Sequence, residues 1–171
     1  MPPASPTEAA SRAAVRLLKF KDRTRAELLG RLTERFGANV AQEAVDGLEA
    51  AGLTGDRRVA RVYAEQRLTG KLEASGLVRR TLRKRGVSLG QAKAAVDAAS
   101  QGQSDVDRAR ELMTRSLARF ASLDPAAARR RAFGLLARRG FDEETAARAI
   151  DDALGPWRES DTDERSIDDD V

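Results

Sequence analysis

The chain has 171 residues, enough for one ordinary domain, with 4% aromatic residues and neither cysteine nor histidine. This removes thiolate chemistry, disulfides, histidine metal sites and every nucleophile that relies on an imidazole base, and it leaves Leu, Val and Ala to build a core, a diet suited to close-packed helices. Net charge is +4, yet residues 156–171 hold two arginines against seven carboxylates, so a basic body precedes an acidic tail. Such asymmetry points to a polyanion or an acidic protein surface as partner.

In chain order, residues 1–8 read as a flexible lead, and Ala13, Ala14, Leu17 and Leu18 then give the apolar face of a first helix. Thr24 and Glu27 form a Thr-x-x-Glu capping box opening a second helix, with Leu28 and Leu32 on its stripe and an end near Gly37. Ala41, Ala44, Val45 and Leu48 keep the helical rhythm of a third, which Gly52 stops. Asp56 is placed to cap a fourth helix, with Val59, Tyr63 and Ala64 on its apolar side. Gly70 and Gly76 bracket a connection, after which GLVRRTLRKRG turns Val78 and Leu82 one way and Arg79, Arg80, Arg83 and Lys84 the other. Ser88 and Gln91 cap the next helix, lined by Leu89, Ala92, Val96 and Ala99. Val106, Ala109, Met113, Leu117 and Phe120 share the face of a seventh helix. Asp124–Pro125 then caps an eighth, with Ala132 and Leu136 inward and Arg130, Arg131 and Arg138 outward. Ala146, Ile150, Ala153 and Leu154 form the stripe of a ninth before Gly155–Pro156, and composition makes the following tail disordered.

The sequence repeats itself. Leucine, three residues, glycine and an apolar residue occur as Leu82–Gly86–Val87 and as Leu136–Gly140–Phe141, with a looser version at Leu32–Gly37. A period of about 50 residues marks stacked supersecondary units that cannot bury their apolar faces singly. The expected fold is all-α: three tandem three-helix repeats forming an elongated, curved helical array. Its parts are a lead over 1–8, repeats over 9–53, 54–101 and 102–155, and an acidic tail over 156–171. No strand alternation and no phosphate-binding glycine motif is present; the Gly70–Lys71 pair lacks the upstream glycine and the hydroxyl residue of a P-loop. No apolar run approaches the roughly 20 residues that cross a bilayer and the start is not a secretion signal, so the expectation is a cytoplasmic protein with no membrane contact.

The three-repeat layout, Asp56 ahead of VARVYAEQR, RKRGV at 83–87 and ARRGF at 137–141 together resemble the RecX family of recombinase regulators, over about residues 10–155. Repeat one departs from the pattern in ERFGANV, with one extra residue before its glycine. The resemblance implies an all-helical protein without catalytic activity or cofactor. Such a protein binds the RecA recombinase filament along its groove and inhibits strand exchange, ATP hydrolysis and coprotease activity, so modulating recombinational DNA repair and the SOS response. A basic repeat protein suits that task physically, because several linked contacts raise effective concentration and bridging subunits hinders growth and turnover.

The candidate binding residues are Arg79, Arg80, Arg83 and Lys84, then Arg130, Arg131, Arg138 and Arg139 in the corresponding helix of repeat three. Four cations on one helical face exceed what solubility requires, and a planar guanidinium fork suits either carboxylate or phosphate. The bland alternatives are a solvated helix face, a dipole preference for cations near a helix C-terminus, and the coding bias behind 26 arginines against 5 lysines. Tyr63 reads as core, Asp56 as a cap, and Phe133 and Phe141 as packed between helices. Trp157 is either an exposed anchor or folded back, and the tail either aids solubility or covers the basic residues at low salt. The rival functions are a DNA-binding module with weak, sequence-independent contact, suggested by the helix-turn-helix look of RTLRKRGVSLGQAKAAV, and a scaffold for another acidic partner. Catalysis would need buried lysine or paired carboxylates, and Asp151–Asp152 sits on polar helical positions. The chain reads as a monomer and not an enzyme.

Overall fold

A computed structural model describes residues 5–156. Among them are nine α-helices and no strand, so the expected all-α class holds. Trp157 and the acidic tail beyond it lie outside the described residues, as do residues 1–4.

Local chemistry sets the helix starts. Helix α1 (Pro6–Phe20) begins inside the stretch expected to be a flexible lead, because Ser5 and Glu8 form a capping box and Pro6 sits in the first turn. Thr24 and Glu27 form the expected box at α2 (Arg25–Phe36), and Gly37, at φ +82°, links it to α3 (Ala38–Ala50). Helix α4 (Asp56–Glu65) runs into one π-helical turn over Gln66–Gly70, so the expected connection at Gly70 is partly helical. It is followed by α5 (Ser75–Lys84), which includes Gly76, and α6 (Leu89–Ser100). Ser104 and Asp107 cap α7 (Asp105–Ser116), which tightens into a 3-10 turn over Leu117–Arg119. Asp124 accepts from the Ala127 amide to cap α8 (Pro125–Arg138), and Asp142 does the same for the Thr145 amide at α9 (Glu143–Leu154).

The described residues form two compact units. Among the described residues the first comprises 5–66 with 78–99 and the second 67–77 with 100–156, so the division falls inside α5 between Leu77 and Val78. In the first unit α1, α2 and α3 pack on one another around Ala14, Leu28, Leu32, Ala41, Val45 and Leu48. In the second, α7, α8 and α9 do the same around Met113, Phe120, Leu136, Phe141 and Ile150, joined by Leu72 and Ala74 from the segment before α5. Alanines on the packed faces, such as Ala41, Ala132 and Ala149, are wholly buried; small side chains let helix backbones come near, and leucines fill what remains. Phe133 and Phe141 belong to the second core as expected.

Two apolar positions depart from their expected faces. Leu89 is 65% exposed, because it is the first residue of α6 and the packed stripe begins a turn later at Ala92. Leu117 is also exposed, because the 3-10 turn that starts there rotates it off the α7 stripe.

Each unit seats the start of one helix in the same manner. In the first, the Asp56 carboxylate accepts from the Arg25 amide at 2.8 Å. The Thr24 hydroxyl donates to the Arg85 carbonyl, and Gly86, at φ +91°, lies against Ala26 so closely that an added Cβ would stand 2.4 Å from the alanine Cβ. In the second, Asp105 accepts from the Ser75 amide at 3.0 Å, the Ala74 amide donates to the Arg139 carbonyl at 2.9 Å, and a Cβ on Gly140 would meet the Leu77 Cβ at 2.5 Å. The glycine motif is therefore a docking joint. Asp56 is a cap, as its position suggested, but it caps α2 and not its own helix.

Candidate partner-binding surface

The candidate cations split between the two units. In the first, Val78 and Leu82 are fully buried, and this fixes the rotation of α5 so that Arg79, Arg80, Arg83 and Lys84 face solvent. The Arg83 guanidinium donates to the Val87 carbonyl at 2.8 Å, which ties its reach to the joint. In the second unit burial of Ala132 and Leu136 turns Arg130, Arg131 and Arg138 outward. Arg139 differs: it is half-buried, its carbonyl is held by Ala74, and by position before the glycine it corresponds to Arg85.

No salt bridge joins any of these eight side chains to a carboxylate of the described residues. Other arginines behave differently. Arg58 pairs with Asp22 at 2.9 Å, Arg67 with Glu73 at 2.8 Å, Arg110 with Asp152 at 2.6 Å and Arg129 with Asp151 at 2.6 Å. An ion pair at such a surface contributes little to stability, so cations that face solvent without a carboxylate partner can be directed at another molecule at little cost to the fold.

In the second unit the α8 arginines converge. Arg119, Arg130, Arg131 and Arg138 border a hollow of about 420 Å³ whose floor includes Gly134, Leu135 and Phe120, with no carboxylate in its lining. Arg119 escapes sequence reasoning because the 3-10 turn, and not the α-helical period, sets its direction. Four guanidinium forks around one hollow suit an oxyanion, whether carboxylate or phosphate.

Two arginines are structural. Arg85 donates from Nε to Glu27 at 2.9 Å and from Nη2 to Glu27 and to the Asp22 carbonyl, each at 3.1 Å. Its guanidinium also stands 5.2 Å from the centroid of the half-buried Tyr63 ring, so Tyr63 serves the fold. Burial pushes the Glu27 carboxyl up, but the hydrogen bond from Arg85, the Thr24 amide and the Arg85 charge outweigh it and hold the group below its ordinary value. The hydrogen bond to Glu27 in turn raises Arg85, against the opposing effect of burial. Arg108, 1% exposed, bonds to Asp105, to the Ser75 hydroxyl at 2.7 Å and to the Gln103 carbonyl at 3.0 Å. Nothing in the local sequence marks it as buried, since its partners are fixed by the seat at Ser75.

Among the described residues no group of three or more acidic side chains could hold a metal ion, and no helix is long and apolar enough to cross a membrane. The fold defines an all-helical protein with basic faces exposed on α5 and α8. No family model matches the chain. It is 34% identical over 154 residues to the regulatory protein RecX of Streptomyces lividans, covering 90% of this chain and 81% of that one. It is 37% identical over 135 residues to the regulatory protein RecX of Trichlorobacter lovleyi, covering 75% and 85%. The crystal structure of RecX from Lactobacillus salivarius matches with a TM-score of 0.67 at 17% identity, over 86% of this chain and 96% of that one. The chain belongs to the RecX family of regulatory proteins.

Proposed function

We propose that this protein binds the RecA recombinase filament in the cytoplasm as a monomer and inhibits its ATP hydrolysis, strand exchange and coprotease activity, without chemistry or a cofactor of its own. Membership of the RecX family supports a regulatory role. The observation that carries the reading to a surface is the pair of exposed cationic faces, on α5 and on α8, that have no carboxylate partner among the described residues. Two basic faces on one chain allow simultaneous contacts, each weak, whose linkage raises effective concentration. A filament subunit held at two places is hindered in the rearrangements of growth and turnover. A second reading, sequence-independent nucleic-acid contact, is favoured by the arginine-bordered hollow at α8, which suits a phosphodiester.

The test is DNA-dependent ATP hydrolysis by the cognate recombinase on single-stranded DNA, titrated with this protein. Inhibition below one copy per filament subunit that persists when DNA is added in excess is the expected result, with Arg79→Glu/Arg80→Glu and Arg130→Glu/Arg131→Glu each weakening it at least about tenfold. Inhibition that vanishes with added DNA replaces the reading with competition for the strand, and no inhibition at any ratio overturns it.

A further inference from the structure

The first unit carries a surface that neither basic face includes. Phe20 lies four residues before the cap of α2 at Thr24, and Phe120 lies four residues before the cap of α8 at Asp124. At equivalent places in the sequence repeat they are treated oppositely: Phe120 is 7% exposed within its unit's core, whereas Phe20 is 89% exposed. Beside Phe20, α1 and α2 enclose a hollow of about 260 Å³ with an apolar wall that includes Leu17 and Phe36, bordered by Arg16, Arg31 and Arg35. No carboxylate lines it, and no salt bridge joins those three arginines to a carboxylate of the described residues. The acids nearest in sequence are Asp22, which is paired with Arg58, Glu27, which is held by Arg85, and Glu34, exposed on α2 beside Arg35.

An exposed phenylalanine costs solubility and adds nothing to its own core, and a wall of apolar side chains ringed by cations has a definite complement. We propose that this hollow is a docking site for an acidic protein segment that carries an apolar anchor residue. The anchor fills the hollow against Leu17 and Phe20, and flanking Asp or Glu side chains meet Arg16, Arg31 and Arg35. A nucleobase is the poorer fit. Of the two rings on the wall only Phe20 has an open face for a base to stack on, since the Phe36 ring already has the Arg35 guanidinium 5.2 Å from its centroid, and the aliphatic remainder of the wall, Ala13, Leu17 and Leu32, suits an apolar side chain. The inference does not depend on the recombinase, since it concerns a different surface and a ligand defined by its chemistry.

The experiment uses the full chain, isotope-labelled, titrated with three probes of matched length: a synthetic acidic peptide with spaced Leu and Phe, the same peptide with those residues replaced by Ala, and a single-stranded oligonucleotide. The expected result is binding of the first peptide with amide shifts concentrated in residues 13–36. Phe20→Ser and the triple variant Arg16→Glu/Arg31→Glu/Arg35→Glu should each weaken it at least about tenfold at unchanged melting temperature, because these side chains are exposed. Equal binding of the alanine peptide, shifts lying elsewhere, indifference to Phe20→Ser, or an oligonucleotide moving the same amides as strongly would each overturn the assignment. None of these outcomes bears on inhibition through Arg79, Arg80, Arg130 and Arg131, which the recombinase assay reads separately.

Discussion

The seats of α2 and α5 perform one task with different parts. In both, an aspartate at the start of a later helix accepts the first helical amide, an arginine carbonyl before a left-handed glycine accepts a further donor, and the glycine touches the seated turn where no side chain fits. What changes is the charged support. At α2 it comes from the joint itself, through Arg85 on Glu27, whereas at α5 it comes from α7, through the buried Arg108 on Asp105. Backbone geometry allows few solutions and is kept; the electrostatic support needs only a cation of the right reach and has moved from one helix to another.

That relocation makes the two aspartates unequal, and their replacement gives the largest expected contrast. Asp105→Ala removes a cap and also leaves the Arg108 charge without its carboxylate inside the protein, a loss of about 3–5 kcal/mol. Asp56→Ala removes only a cap, because the Arg25 side chain keeps its own partners Asp46 and Glu49, for about 0.5–2 kcal/mol. Chemical denaturation of the two variants measures both, and equal losses would mean that Arg108 finds another anion.

The shared part of the joint should respond alike in both units. Gly86→Ala and Gly140→Ala each force a left-handed Cβ into a neighbouring side chain, costing about 2–5 kcal/mol. Gly37 is the internal control. It has the same sign of φ, +82°, with ψ at 160°, a region nearly confined to glycine, but nothing lies within 4 Å of an added Cβ, so Gly37→Ala should cost only the backbone part, about 1–3 kcal/mol. A Gly37 variant as damaged as the other two would put the whole effect in the backbone and remove the case for close docking.

These joints also show what could be read beforehand. The capping box at Thr24–Glu27, the rotation of α5 and α8, and the Asp124–Pro125 start follow from spacing within a few residues, and the sequence displays them directly. Asp56 was recognisable as a cap but not as the cap of a helix 31 residues earlier, since only the folded chain brings that amide near. Arg108 and Arg119 were invisible for related reasons: one is buried by a seat formed elsewhere in the chain, and the other is aimed by a 3-10 turn that breaks the helical period. Among the arginines, charge composition did not separate those that hold the fold from those that face outward; burial of Val78, Leu82, Ala132 and Leu136 did.

The Arg85 support should show in acid. Glu27 is held below its ordinary value in the folded state, so its contribution is complete above the unfolded carboxyl pKa of about 4.3 and is lost as pH falls through the lower folded value. Glu27→Gln should therefore be less stable than the parent at neutral pH and converge with it as the solution is acidified below about pH 4. A gap constant with pH would show that Glu27 contributes by shape and not by charge.

The smallest expected change in stability is at Arg79 and Arg80, and its smallness is informative. Neither side chain is tied to a carboxylate of the described residues, both are exposed, and the helix beneath them is held by Val78 and Leu82. Arg79→Glu/Arg80→Glu should shift unfolding by no more than about 0.5 kcal/mol, in contrast to any change at Arg108 or Arg85. Arg83 is better left in place, because its guanidinium holds the Val87 carbonyl at the joint. If the double reversal destabilised the protein as much as loss of a seat aspartate, these cations would belong to the fold, and the division between arginines that support the joints and arginines that face a partner would fail at α5.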